Sequence, residues 1–423
     1  MGWIFLRGVL TGNAMTARSF SATLLGVDAV LVEVQAQLIG AMKRFSLVGL
    51  PDGVLKEARD RVRAAIEHSG FQFPVGELIV NLSPAALPKF GSGFDLAIAA
   101  AILAAAGVIR QGALEGKLLL GEVGLDGEVE AVPGVLAAGC MVKEQDQIVE
   151  LVVPLASLAE ASLISGVAVR GVSSLVQLVA FLNGLVELPV QEHCGELGQN
   201  DVTDHLGFGD VVGQHGAKRA LEIAAAGAHN VCLVGPPGSG KSMLAQRIGS
   251  ILPALNLAEA VEVTKIYSAF SAVIGGSGAA RAGNGTGRSL ASGSLITSRP
   301  FRAPHHTTSA AGLIGGGSHP LPGEISLAHK GVLFLDELPE VRREAIECLR
   351  EPLEAKAITI SRARLRISFP ADFILVAAMN PCPCGKRGVV DGGCLCTTAS
   401  VSRYLNRISG PIMDRIDLHV WVP

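Results

Sequence analysis

Gly235-Pro-Pro-Gly-Ser-Gly-Lys241-Ser242 follows the apolar run Asn230–Val234 and precedes the helical pattern Met243–Ile251. A strand, a G-x-x-x-x-G-K-S loop and a helix in that order make a phosphate-binding loop. Glycines let backbone N–H groups curl around an anion, and the start of the helix adds a favourable field. Lys241 is placed to reach β- and γ-phosphates, and Ser242 to ligate Mg²⁺. A chance glycine turn is a poor rival, because eight positions and both flanks agree. The expected fold is therefore α/β, with a parallel sheet in the half that carries this loop.

Working outward, Gly331-Val-Leu-Phe-Leu-Asp336-Glu337 is a second buried strand, ending in two acids. Such an ending is common where a strand meets solvent. Beside a phosphate loop, Asp336 instead holds Mg²⁺ through water, and Glu337 polarises the attacking water of phosphoryl transfer. A third strand, Phe373–Met379, ends in Asn380, which can orient that water or simply make the turn before Pro381. In Ser409-Gly-Pro-Ile-Met-Asp414-Arg415-Ile-Asp417, Arg415 is a candidate arginine finger for a neighbouring subunit; a surface ion pair is the bland alternative, and Arg403 and Arg407 are rivals. From His229 onward the β-then-α rhythm suits a parallel sheet.

The chain has 423 residues, enough for two or three domains. Residues 24–183 alternate strands (Val27–Val34, Leu78–Leu82, 149–153) with a helix over 52–69. Leu55, Ala58, Val62, Ala65 and Ile66 share one face of that helix. Residues 118–123 and 128–132 flank Asp126-Gly127, a hairpin signal. Periodicity fades over 184–210, the expected linker, and 211–423 form the second domain; residues 1–23 are an extension and first strand, with Met15 an alternative start. The glycine-rich stretch 275–293 reads as a loop.

Hydrophobic content of 49% and a mean hydropathy of +0.43 raise the question of a membrane span. The best run, Phe94–Ile109, is too short and contains Asp95, so a buried helix is expected and no membrane partner. Arg7 interrupts the N-terminal apolar stretch and no cleavage site follows, so no signal peptide is expected. The scattered cysteines Cys140, Cys194, Cys232 and Cys348 then fit a reducing, cytoplasmic setting.

A net charge of −3 gives no global nucleic-acid signature. Basic charge gathers locally: residues 355–423 hold nine Lys/Arg against four Asp/Glu, and 281–306 hold four Arg and no acid. In Ala357–Pro370, Arg362, Arg364 and Arg366 at spacing two share one face of a strand. They suit DNA phosphates, with a solvated edge as the alternative. His305, His306 and His319 are loop residues that cap loops or contact nucleic acid. Cys382, Cys384, Cys394 and Cys396 form a C-x-C…C-x-C set. Four thiolates can hold Zn²⁺; free thiols or a redox-labile pair remain open.

GPPGSGKS, VLFLDELPE, AAMNPCPCG, RISGPIMDRIDLHV and the stretch RPFRAPHHTTSAAGLIGGGSHPLPGEISLAHKG together resemble the ComM/YifB family of magnesium-chelatase-like AAA+ ATPases across nearly the whole chain. The resemblance implies ATP and Mg²⁺ as cofactors, bound by Gly235, Pro236, Pro237, Gly238, Ser239, Gly240, Lys241 and Ser242. It makes Asp336 and Glu337 the Walker B pair, Asn380 the first sensor and Arg415 the finger, and places Gly213 and Gln214 at the adenine pocket. It implies a homo-hexameric ring acting as a DNA motor on branched, single-stranded or duplex DNA in natural transformation, with recombination proteins as further partners. A chelatase-type subunit working through a partner protein is the alternative. VGLPD (48–52) and GEVGLDGEV (121–129) resemble a preceding Lon-protease-like α+β domain. Its serine position falls on Gly93, and no lysine occupies the matching part of the helix after Val132, so Ser92 reads as a turn residue and no peptidase activity is expected. The family continues into a helical lid with a second sensor arginine, and this chain ends before it, at Pro423.

Overall fold

Leu55, Ala58, Val62, Ala65 and Ile66 are fully buried on one side of a helix. Asp52 caps that helix, its Oδ1 accepting from the Leu55 N–H at 2.7 Å. The computed structural model describes residues 16–40, 44–50, 52–191, 207–274, 295–317, 320–362, 365–389 and 393–423. Contacts divide the chain into two units. One comprises Met1–Leu24 and Asp28–Cys194; the other comprises Gly195–Pro423 with Leu25–Val27.

The first unit contains β1 (Thr16–Leu25), β2 (Asp28–Ile39), β3 (Arg44–Val48), α1 (Gly53–His68), β4 (Glu77–Ser83), α2 (Asp95–Ala105), β5 (Lys117–Leu119), β6 (Glu122–Val123), β7 (Val129–Glu130), α3 (Val135–Lys143), β8 (Glu150–Pro154), α4 (Leu158–Ala161), β9 (Ala168–Val172) and α5 (Leu175–Leu182). Its main sheet has the order β3-β4-β2-β1-β5-β8-β9, parallel at β3–β4 and from β1 through β9, antiparallel at β2–β4. The apolar run at 94–109 becomes α2, whose residues from Leu96 to Leu103 are buried all round. No described helix is long and apolar enough to cross a membrane.

The hairpin expected around Asp126-Gly127 is smaller than its pattern. Only Glu122–Val123 and Val129–Glu130 pair across that turn, where Gly127 takes φ +81. Leu118 and Leu119 are fully buried and pair with Leu151 and Val152; they point to opposite faces of the main sheet, and each packs into a separate apolar cluster. Before α2, Ser92 lies in a bend, its hydroxyl donating to Glu122. Asp95 is wholly buried under Arg61 (2.9 and 3.2 Å); burial pushes its carboxyl up to about 6 while the guanidinium opposes the shift. The fully buried Lys89 ammonium donates to the carbonyls of Gly49 (2.9 Å), Leu82 (3.0 Å) and Pro84, so it ties loops together.

The second unit contains α6 (His215–Gly227), β10 (Val231–Val234), α7 (Lys241–Gln246), α8 (Leu257–Ile274), β11 (Phe301–Arg302), α9 (Ala310–Ile314), β12 (Gly315–Gly316), β13 (Leu321–Pro322), α10 (Glu324–Leu327), β14 (Val332–Leu335), α11 (Arg343–Glu347), α12 (Arg350–Ala355), β15 (Ala357–Arg362), β16 (Leu365–Pro370), β17 (Ile374–Met379), α13 (Thr398–Leu405), α14 (Gly410–Met413) and β18 (Leu418–Trp421). The sheet order is β11-β14-β17-β10-β18, every pair parallel. VCLV, VLFL and ILVAAM are nearly continuous buried runs, as strands covered on both faces must be. After β10 the chain passes to the far edge and returns, leaving β10 inside; ligands of such sheets bind beyond the carboxyl ends at that reversal.

Arg302 at the end of β11 is 8% exposed and clamps Glu324 through two hydrogen bonds, 2.6 and 2.7 Å. Removing the arginine strands a carboxylate against the core. Arg302→Ala is expected to lower unfolding free energy by about 3–5 kcal/mol. Arg219→Ala, which breaks an exposed pair with Glu222, should cost below about 1 kcal/mol. Urea titration of the two variants checks the contrast.

Ala357–Pro370 is not one strand. β15 and β16 pair antiparallel, with Arg362 opposite Leu365 and Ser361 opposite Arg366. Arg362 and Arg366 therefore lie on different strands and do not share a single strand's face; Arg364 is outside the described residues. Ile358, Ile360, Ile367 and Phe369 cover the core, while Arg366 is exposed. His319 and all of 275–293 also fall outside the described residues.

Candidate active site

Three neighbouring strands release their functional residues at one end of the sheet. Gly235 follows β10, Asn380 follows the adjacent β17, and Asp336 follows β14 on its other side. The register pairs Val234 with Met379 and Leu335 with Ala377, so the three strand ends are close to level. Gly235 is required by proximity: a Cβ there would meet the Val422 carbonyl at 2.1 Å. Gly238 and Gly240 take φ +80 and +88, which only glycine adopts freely.

Lys241 is buried at the first position of α7. Its ammonium donates to the carbonyls of Gly235 and Pro236, both at 2.8 Å, and to Asn380 Oδ1 at 3.4 Å. Burial lowers its pKa, and the Asp336 charge works against that shift. Ser242 Oγ donates to Asp336 Oδ2 at 2.6 Å. Glu337 sits next along in a left-handed conformation, φ +49, its N–H donating to Asp336 Oδ1 at 2.9 Å. Gln214 Nε2 donates to Ser239 O of the loop (3.4 Å) and to Pro423 O (3.2 Å), so Gly213-Gln214 lies against the phosphate loop.

Residues 207–423 match the family model described as magnesium chelatase, subunit ChlI, and residues 32–157 match a second model of the same subunit. An uncharacterized Mycobacterium tuberculosis protein is 45% identical over 406 residues, 95% of this chain and 76% of that one. Competence protein ComM of Haemophilus influenzae is 41% identical over 413 residues, 96% of this chain and 76% of ComM. The chain belongs to the magnesium chelatase subunit ChlI family. Within that family its likeness to ComM runs along 96% of this chain. The magnesium-chelatase 67 kDa subunit of Chlorobaculum tepidum is 27% identical over only 186 residues, 42% of this chain and 23% of that subunit. Membership of this AAA+ family implies ATPase activity, with ATP and Mg²⁺.

Further from the loop, this ChlI-family chain shows contacts that its linear pattern conceals. His306 Nδ1 lies 3.6 Å from Glu337 Oε2, and its ring packs on His305 with centroids 4.0 Å apart. Tyr404 on α13 is buried beside the Asn380 backbone, and burial pushes its phenol up to about 12. Neither contact is visible in local sequence. Asn230 fixes the strand ends: its side chain reaches the Arg415 carbonyl (2.8 Å) and the Leu375 N–H (2.9 Å), and its N–H donates to Asp417 (2.9 Å).

Arg415 lies apart from the loop of its own chain, bonded to Glu354 and to the Pro411 carbonyl, its Nε buried with no partner among the described residues. Arg407 pairs with Glu340 at 2.6 Å and, with Arg403 and Arg343, lines a cavity of about 660 Å³. The basic charge around residue 300 is internally spent: Arg299 binds Glu259 (3.2 Å), and Arg302 binds Glu324. Those two arginines are not free for DNA.

Proposed function

We propose that this chain is the motor core of a homo-hexameric DNA translocase that uses ATP to promote branch migration of recombination intermediates. The observation that carries the ATPase half is the convergence of Lys241, Ser242, Asp336 and Asn380 at three adjacent strand ends. The oxygens on Lys241 are acceptors that phosphate oxygens replace in kind, and Ser239 Oγ is a buried hydroxyl with no partner among the described residues. Both features fit a bound triphosphate. Ser242 Oγ and Asp336 are hard oxygen donors, the chemistry Mg²⁺ takes.

In this reading Gly235–Ser242 wrap the β-phosphate, Lys241 moves its ammonium from loop carbonyls to the β/γ-oxygens, and Gly213-Gln214 border the adenine. Ser242 and Asp336 would hold Mg²⁺, which would supply positive charge to the transferred phosphoryl group. Glu337 accepts from the attacking water and polarises it, and Asn380 fixes that water's orientation. His306 Nδ1, 3.6 Å from Glu337 Oε2, stands beside that carboxylate. Arg415 serves the γ-phosphate of the adjacent subunit. The first unit is a Lon-protease-like domain without the serine–lysine pair.

The DNA half rests on similarity to a competence protein along 96% of the chain. Arg362 on β15 and Arg366 on β16, with Arg364 between them in sequence, are the residues assigned to backbone phosphates, which are held without sequence preference. A synthetic four-way junction supplies the test. ATP-dependent migration that disappears in Arg362→Ala/Arg366→Ala, with basal ATPase kept, is the expected result. An active ATPase indifferent to every DNA offered would sink the motor and favour the chelatase-type reading, in which ATP drives metal insertion through a partner protein; the family model over 207–423 is what keeps that reading open.

A further inference from the structure

The segment between β17 and α13 carries chemistry that ATP hydrolysis does not use. Four sulfurs from its two ends meet at one point. Cys382 Sγ lies 3.4 Å from Cys384 Sγ and 3.7 Å from Cys394 Sγ; Cys384 and Cys394 are 3.6 Å apart. Cys396 completes the group, all four sulfurs lying within 4.8 Å of one another. A tetrahedral ion with metal–sulfur bonds of about 2.3 Å needs sulfur–sulfur edges of about 3.8 Å. A disulfide needs about 2.0 Å, and a multi-iron cluster would spread the ligands further. The spacing suits a single ion.

The surroundings agree. Backbone N–H groups of Lys386, Cys396 and Cys384 point at the sulfurs of Cys384, Cys394 and Cys396 respectively. Amides aimed at sulfur stabilise thiolates, the form that binds metal. All four donors are soft, unlike the hard oxygens of Ser242 and Asp336, so the two sites select different metals. Four protein ligands leave no open position, which marks a structural site.

Its position gives it a task. Cys382 is fully buried two residues after Asn380. The turn closes through the Gly385 N–H to the Cys382 carbonyl (2.9 Å). Gly385 takes φ +76 and lies against the phosphate loop, where a Cβ would be 2.5 Å from Pro237 Cδ. At the other end, Cys396 abuts Thr397, which caps α13, and α13 carries Tyr404 to the Asn380 backbone.

We propose that Cys382, Cys384, Cys394 and Cys396 bind one structural Zn²⁺, and that this knuckle is a positioning element that holds Asn380 against the phosphate loop. Metal content is independent of the ATPase reading, so the two fail separately. The purified full chain should contain one zinc per chain by elemental analysis. Its Co²⁺-substituted form should show the visible bands and sulfur-to-cobalt charge transfer of a tetrahedral thiolate site. Cys384→Ser should lose the metal, Cys348→Ser should keep it, and Cys384→His should retain zinc, since imidazole is a zinc ligand. Loss of zinc should lower kcat by about 10- to 100-fold with nucleotide affinity changed far less, and Cys384→His should restore kcat. Iron, a disulfide or free thiols in the purified chain would overturn the zinc assignment. So would a Cys384→Ser variant that still carries one zinc. A zinc-free variant with undiminished kcat would overturn the positioning role.

Discussion

Lys241→Ala is expected to reduce ATP hydrolysis by at least about 10²- to 10³-fold, the loss typical of deleting one preorganised donor to developing charge. The reason lies in where the ammonium sits. It is buried at the start of α7, held by two loop carbonyls at 2.8 Å and by Asn380 at 3.4 Å. That placement lets it move onto phosphate oxygens without crossing solvent. Burial lowers its pKa, the charge of Asp336 opposes this, and an arriving anion favours the cation further. Alanine should raise the nucleotide Kd as well as abolish turnover. Glu337→Gln makes the contrast: in the proposed mechanism Glu337 contacts the attacking water and not the phosphates, so turnover should fall steeply while nucleotide binding persists. Measuring fluorescent-nucleotide Kd and steady-state ATPase on both variants separates the two roles. A Lys241→Ala protein that hydrolyses ATP at the parent rate would remove the assignment of this site.

The phosphate loop and the two acidic or polar strand tips were legible because each is local: a strand, a turn and a donor within a few residues. α1 and α2 were legible for a similar reason, since an apolar face or an all-apolar run needs no partner to be recognised. What escaped was long-range. His306 beside Glu337, and Tyr404 beside Asn380, are contacts between segments distant in sequence. The arginine run misled because alternation continued from β15 into β16 with no glycine between them in sequence, so two paired strands looked like one. Counting charge near residue 300 misled because Arg299 and Arg302 already hold Glu259 and Glu324.

Arg415→Ala is expected to cost roughly 10³-fold or more in kcat, the range for an arginine finger supplied in trans. The side chain is bonded to Glu354 and the Pro411 carbonyl, apart from the loop of its own chain, so any action on a γ-phosphate must reach a neighbour's. Loss of activity alone would not separate that role from damage to the Glu354 contact. Mixing does. Lys241→Ala subunits lack a working loop but retain Arg415; Arg415→Ala subunits retain the loop and lack the finger. Each should be inactive by itself, yet in the proposed ring an interface joining the second's loop to the first's Arg415 would be complete. Mixed rings should therefore recover a definite fraction of ATPase, rising and falling with the mixing ratio. If Arg415 acts only within its own chain, no ratio restores turnover. Glu354→Ala provides the remaining control: it frees the arginine without removing it, so activity should survive in that variant if the guanidinium works across the interface.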